Sequence, residues 1–140
     1  MIRRILQVSV ALFAINASVG GGLYLIQGLQ AFLLTGGELI IDSTTSDWQV
    51  LDYFIRALAA IWLSLGLMFA YMIPHIEKHT VWFRFCCSAI FLMGIGRLLS
   101  VNAFGVGNNP QIAIYLEISL PLLLVWGQYI VERQFSESAT

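Results

Sequence analysis

The sequence predicts an all-α fold, an integral membrane protein built as an antiparallel four-helix bundle. Three observations predict it. The composition is 59% hydrophobic and only 11% charged, with a mean hydropathy of +0.81, where soluble domains carry about 25% charged residues. A soluble chain of 140 residues leaves too much of its surface exposed to hide that much apolar area. Four apolar runs, at about 5–34, 48–73, 80–104 and 111–131, each exceed the ~20 residues that a ~30 Å hydrocarbon core requires. The last two linkers are short, which makes helices two, three and four sequential antiparallel neighbours. Residues 1–140 are read as one transmembrane domain.

Helix one follows Met1-Ile2-Arg3-Arg4. A signal peptide also begins this way. The run is too long for a signal's apolar region, and Ile15 stands where cleavage near Ala17 wants a small residue. It is therefore read as a retained membrane helix. Asn16, Gly20, Tyr24 and Gln27 recur at spacings of four, four and three, which places them on one face. Ala17 with Gly21, and Ser18 with Gly22, are small pairs four apart that let another helix come close. The expectation is that this small, polar face turns inward. The plainer alternative is that Gly20-Gly21-Gly22 loosens the helix.

Residues 35–47 are rich in Gly, Ser, Thr and acid and hold no Lys or Arg, the chemistry of a loop. Leu39-Ile40-Ile41 inside it is apolar enough to dip back to the membrane surface. Helix two is closed by Pro74 and the short loop 75–79. Gly105-Val106-Gly107-Asn108-Asn109-Pro110 is the turn between helices three and four. Arg3, Arg4, Lys78, Arg84 and Arg133 flank one side, and the other two loops carry no positive residue. The positive-inside rule then puts both termini in the cytoplasm of a bacterial inner membrane, with Trp48 and Trp82 as boundary anchors.

Inside these runs lie four charges. Arg56 is eight residues past Trp48, Arg97 eight before Gly105, Glu117 seven past Pro110, and Asp52 shallower. At ~1.5 Å per residue this puts three helices' charges in one layer about 6 to 12 Å below the outer boundary. Each costs roughly 3 kcal/mol near a helix centre when unpaired, so the four are expected to face one another. Asp52 and Arg56 have the i,i+4 spacing of a pair on one helix. Arg97 and Glu117 form the natural pair between helices, where an arginine fork can meet a carboxylate. Pro121 has no N–H for the carbonyl of Glu117, so a kink is expected there. Gln27, Tyr53, Ser100, Asn102 and Tyr115 complete a polar pocket. It is either a small outward-facing binding site or a salt-bridge network that fixes helix register.

Other signals are weaker. His75 and His79 are metal candidates, but no further ligands lie near, and a catalytic zinc wants three. The adjacent Cys86 and Cys87 read as small apolar residues of a helix. No phosphate-binding loop, dinucleotide glycine pattern or nucleophile elbow appears. Gly94-Ile95-Gly96 reads as a packing surface, and Trp62 and Trp126 as packing or lipid-facing residues. No cofactor is expected. A net charge of −1 gives no case for nucleic acid.

Phe54-Ile55-Arg56 followed by Ile61-Trp62-Leu63-Ser64-Leu65-Gly66-Leu67 resembles a family of small bacterial membrane proteins, the domain-of-unknown-function family 4345. Pro74-His75-Ile76-Glu77-Lys78-His79-Thr80, Gly94-Ile95-Gly96-Arg97-Leu98-Leu99-Ser100 and Glu117-Ile118-Ser119-Leu120-Pro121 fit it too. The resemblance implies a four-helix membrane protein and lends no catalytic roles. The family's glycine-proline turn near Gly105 departs here to Gly107-Asn108-Asn109-Pro110. The functional expectation is an accessory or interaction subunit of a membrane complex, with the lipid bilayer and a protein as partners. The alternative is a binder or carrier of a lipid-like or small anionic molecule at the charged layer. Nothing in the residues marks it as an enzyme or names a small-molecule ligand.

Overall fold

The computed structural model describes residues 2–34, 44–104 and 111–137. Its elements are α1 (Ile2–Gln27), α2 (Leu29–Leu34), α3 (Ser46–Met72) with a 3-10 turn at Ile73–His75, α4 (Thr80–Phe104) and α5 (Gln111–Glu137). The all-α class is as expected, with no strand among the described residues. The loop expected around Leu39-Ile40-Ile41 and the turn at Gly105–Pro110 lie outside them.

Four stretches are long and apolar enough to cross a membrane: Ile2–Gln27, Ser46–His75, Thr80–Ala103 and Ile112–Glu137, with mean hydropathies of 1.5 to 1.8. The shortest has 24 residues, about 36 Å at ~1.5 Å per residue, against a hydrocarbon core of ~30 Å. Only 22% to 28% of each stretch is buried against protein, so most of the apolar side chains need a lipid solvent. The chain is a multi-pass membrane protein.

Two helix boundaries differ from expectation, each for a local reason. Helix one does not run unbroken to residue 34. It stops at Gln27, and Gly28 takes φ +60, the left-handed conformation that glycine adopts without a Cβ penalty. The Gly28 N–H still reaches the Tyr24 carbonyl at 2.8 Å, the one-bond ending of a glycine-capped helix. Helix four runs six residues beyond 131, to Glu137. Its last turn is tied by the Arg133–Glu137 ion pair at 3.0 Å and by the Ser136 hydroxyl donating to the Arg133 carbonyl at 2.9 Å. At the start of α3 the Thr45 hydroxyl accepts the Trp48 N–H at 3.3 Å, an N-cap. The helix α5 continues through Pro121.

Contacts group the chain into two compact units, Leu12–Ala70, and Met1–Ala11 with Tyr71–Thr140. In the first, α1 and α3 run antiparallel. Glycines admit the neighbouring backbone at two points. A Cβ on Gly21 would stand 2.5 Å from the Leu63 backbone nitrogen, and one on Gly66 2.5 Å from the Ser18 hydroxyl and 2.8 Å from its nitrogen. Ala14, Ala17 and Ala59 are buried around them, and Phe13 packs its ring on Trp62 at 5.9 Å and on Phe69 at 5.3 Å. So the small pair Ala17 and Gly21 does carry a helix contact. Ser18 meets Gly66 of α3, while Gly20 and Gly22 have open space where a Cβ would be. The inward face is the apolar one of Ala14, Ala17 and Gly21, and Asn16 is exposed. Burial of small apolar atoms, which needs no hydrogen-bond partner, decided the rotation of α1 against the polar stripe.

In the second unit α4 packs antiparallel on α5. A Cβ on Gly94 would lie 2.9 Å from Ile118 and 3.1 Å from the Glu117 Cβ, so that glycine admits α5. Gly96 of the same triplet meets nothing within 4 Å. Phe83, Cys86, Cys87, Ile90, Ile114, Leu124 and Val131 form the core with Leu6, Val10, Met72 and Ile76. Both cysteines are buried and free.

Candidate functional site

Most charged residues of the long helices fall into ion pairs, each inside one unit. In the first unit, α1 ends at Gln27 and α2 begins at Leu29. A break of this kind strands carbonyls at the end of one helix and N–H groups at the start of the next. The Asp52–Arg56 pair of α3 supplies partners for both. Arg56 donates from Nε to Asp52 Oδ2 at 2.7 Å, and from Nη1 to the carbonyls of Leu25 at 2.9 Å and Ile26 at 2.7 Å. Asp52 Oδ1 accepts the Leu29 N–H at 2.7 Å. The cation therefore sits at the carbonyl end of α1 and the anion at the amide end of α2, each where the exposed backbone dipoles favour its sign. A Cβ on Gly28 would collide with Asp52 Oδ1 and come within 2.6 Å of Arg56 Nη2. The left-handed glycine thus makes room for the pair and creates the need for it.

In the second unit Arg97 Nη1 of α4 stands 3.1 Å from Glu117 Oε1 of α5. The pair is lopsided. The Arg97 side chain is 49% exposed and that of Glu117 11%. Glu117 Oε2 is buried without a hydrogen-bond partner. Two further ion-paired clusters escaped the sequence reading. Arg84 donates from Nη2 to Glu132 Oε2 at 2.6 Å and from Nε to Gln128 Oε1 at 3.3 Å. The signal was present: Gln128 and Glu132 are four apart on a helix face, and Arg84 interrupts an apolar run. Arg3 grips Glu77 with Nε and Nη2, both at 3.2 Å, and donates from Nη2 to the Pro74 carbonyl at 3.0 Å, while the Gln7 amide donates to the Ile73 carbonyl at 2.8 Å. Burial pushes the Glu77 carboxyl up. Its own backbone N–H and the Arg3 guanidinium, with His75, outweigh that and hold it below the usual carboxylate range.

The other expected pocket residues are described each within its own unit. Tyr53 is 70% exposed with its ring against Phe54, and Tyr115 is 64% exposed. Ser100 and Asn102 are exposed as well. Gln27 lies beside the helix break in sequence, and its side-chain oxygen is buried without a partner. Among the described residues, no three His, Cys, Asp or Glu come together to hold a metal ion. His75 is exposed, and the His79 ring lies 5.3 Å from Tyr71.

These features define a class: a multi-pass helical membrane protein with several ion pairs on its long helices. The match to a family model over residues 5–128 makes it more particular, and the chain belongs to the family described as Domain of unknown function (DUF4345). A search of curated proteins and a search of solved structures each found no match.

Proposed function

We propose that this protein is a non-catalytic accessory subunit of a membrane complex, lying in a bacterial inner membrane with both termini in the cytoplasm. The observation that carries the reading is the use made of Asp52 and Arg56. Both carboxylate oxygens of Asp52, and Nε and Nη1 of Arg56, bond to each other or to the ends of α1 and α2. A pair so occupied stabilises a scaffold rather than polarising a substrate. In hydrocarbon an unmet backbone group costs several kcal/mol, so at membrane depth the clamp is worth more than the same bonds in water. The orientation rests on Arg3, Arg4, Lys78, Arg84 and Arg133 falling at or just beyond the helix ends expected to share one side.

A second reading has its own support. Arg97 is half exposed and Glu117 Oε2 has no partner, which suits a small anionic or lipid-like ligand that completes this pair. Native mass spectrometry after gentle extraction separates the two. A protein that co-purifies supports the first, and a small bound molecule lost in Arg97→Leu supports the second. A reporter fused after Thr140 that is active only on the cytoplasmic side supports the orientation, and external activity overturns it.

A further inference from the structure

On the second unit an open groove of about 410 Å³ is lined by Arg84, Leu122, Val125, Trp126 and Tyr129. Its chemistry is graded along α5. Tyr129 and Arg84 supply a phenol and a guanidinium, and Trp126, Val125 and Leu122 then give an apolar wall about 6 Å long at ~1.5 Å per residue. The aromatic pair is open, with Trp126 65% and Tyr129 54% exposed, and such residues favour the headgroup level of a bilayer.

Arg84 is held in a fixed attitude. Its Nε meets Gln128, which is fully buried, and its Nη2 meets Glu132. Nη1 has no partner among the described residues, and the side chain is 44% exposed. A planar fork anchored on one edge and free on the other suits a phosphodiester better than an ammonium would. We propose that this groove binds one membrane phospholipid, its phosphodiester accepting from Arg84 Nη1 and an acyl chain lying along Trp126, Val125 and Leu122. Glu132 already balances the charge of Arg84. Donor geometry together with the wall therefore selects the ligand, and a lipid without phosphate satisfies the wall alone.

The test uses the full chain in a phosphate-free detergent, titrated with phosphatidylglycerol or with diacylglycerol, both with brominated acyl chains. Quenching of Trp126 is read as the difference between the unaltered protein and Trp126→Phe. The phospholipid should half-saturate the quenching at a roughly tenfold lower mole fraction, the size of one charge-assisted hydrogen bond. Arg84→Gln should erase that preference, and Arg84→Lys should keep part of it. Equal half-saturation by the two lipids overturns the proposal, as does an undiminished preference in Arg84→Gln. Absence of quenching by either lipid also overturns it and points to a protein on the groove. Should Arg84→Gln fail to fold, the comparison of the two lipids on the unaltered chain still decides.

Discussion

Replacing Gly28 with alanine tests the helix-break clamp directly. Alanine at φ +60 carries a left-handed penalty of about 1–2 kcal/mol. The new Cβ would also fall on Asp52 Oδ1 and within 2.8 Å of the Arg56 Cζ, so one of the two side chains must move. Moving the carboxylate breaks the bond from the Leu29 N–H, and moving the guanidinium breaks those to Leu25 and Ile26. A hydrogen bond to a charged group is worth about 1.5–3 kcal/mol. The lower part of that range applies, because the Arg56 and Asp52 side chains are 41% and 24% exposed. The sum is a loss of about 3–5 kcal/mol. Reversible unfolding in mixed micelles, followed by far-ultraviolet circular dichroism, reads it. Gly20→Ala is the matched control, since nothing stands within 4 Å of its Cβ position, and it should gain up to about 1 kcal/mol from helix propensity. Asp52→Ala should cost less in the Gly28→Ala background than alone, because both changes break one network. If Gly28→Ala unfolds with Gly20→Ala, or if the Asp52 and Gly28 effects simply add, the clamp is not what holds this break.

Other expectations concern the remaining contacts. Gly21→Ala should destabilise by about 1–3 kcal/mol, as overpacking does, because its Cβ would meet the Leu63 backbone; Gly22→Ala, with open space, should not, and the same unfolding assay compares them. Arg97→Leu should cost about 1–3 kcal/mol by leaving the Glu117 carboxylate unpaired, less than for a fully buried pair because Arg97 is 49% exposed, and the double variant Arg97→Leu/Glu117→Leu should recover much of that loss. A double variant no more stable than the single one would refute this pairing. The folded-state pKa of Glu77 lies below its unfolded value, so its contribution is complete above the unfolded value and is lost as pH falls through the carboxylate range. Stability measured from neutral pH to about pH 3 should therefore decline less steeply in Arg3→Gln, in which the grip on Glu77 is gone.

The four spans were legible because hydropathy over twenty residues is a property of a stretch, and lipid solvation acts on the stretch. The Asp52–Arg56 and Arg97–Glu117 partnerships were legible for a related reason: few charges were available and each needed company. What stayed hidden depends on residues far apart in the chain. Gly28 looks like any glycine in an apolar helix, and its role appears only when Asp52 and Arg56, more than twenty residues on, reach it. The rotation of α1 was misread because a polar stripe suggested an inward face, whereas Gly66 and Leu63 of α3 select Ser18 and Gly21 by backbone proximity.

The pairing of α4 with α5 bears on biogenesis. Arg84–Glu132 and Arg97–Glu117 pin the two helices at levels thirteen residues apart on α4, about 20 Å at ~1.5 Å per residue. Sliding one helix past the other by a turn breaks both pins at once, so the register has a single setting. A hairpin that inserted as one body would carry these charges already matched, whereas α4 alone would carry both arginines, and α5 alone both glutamates, unaccompanied.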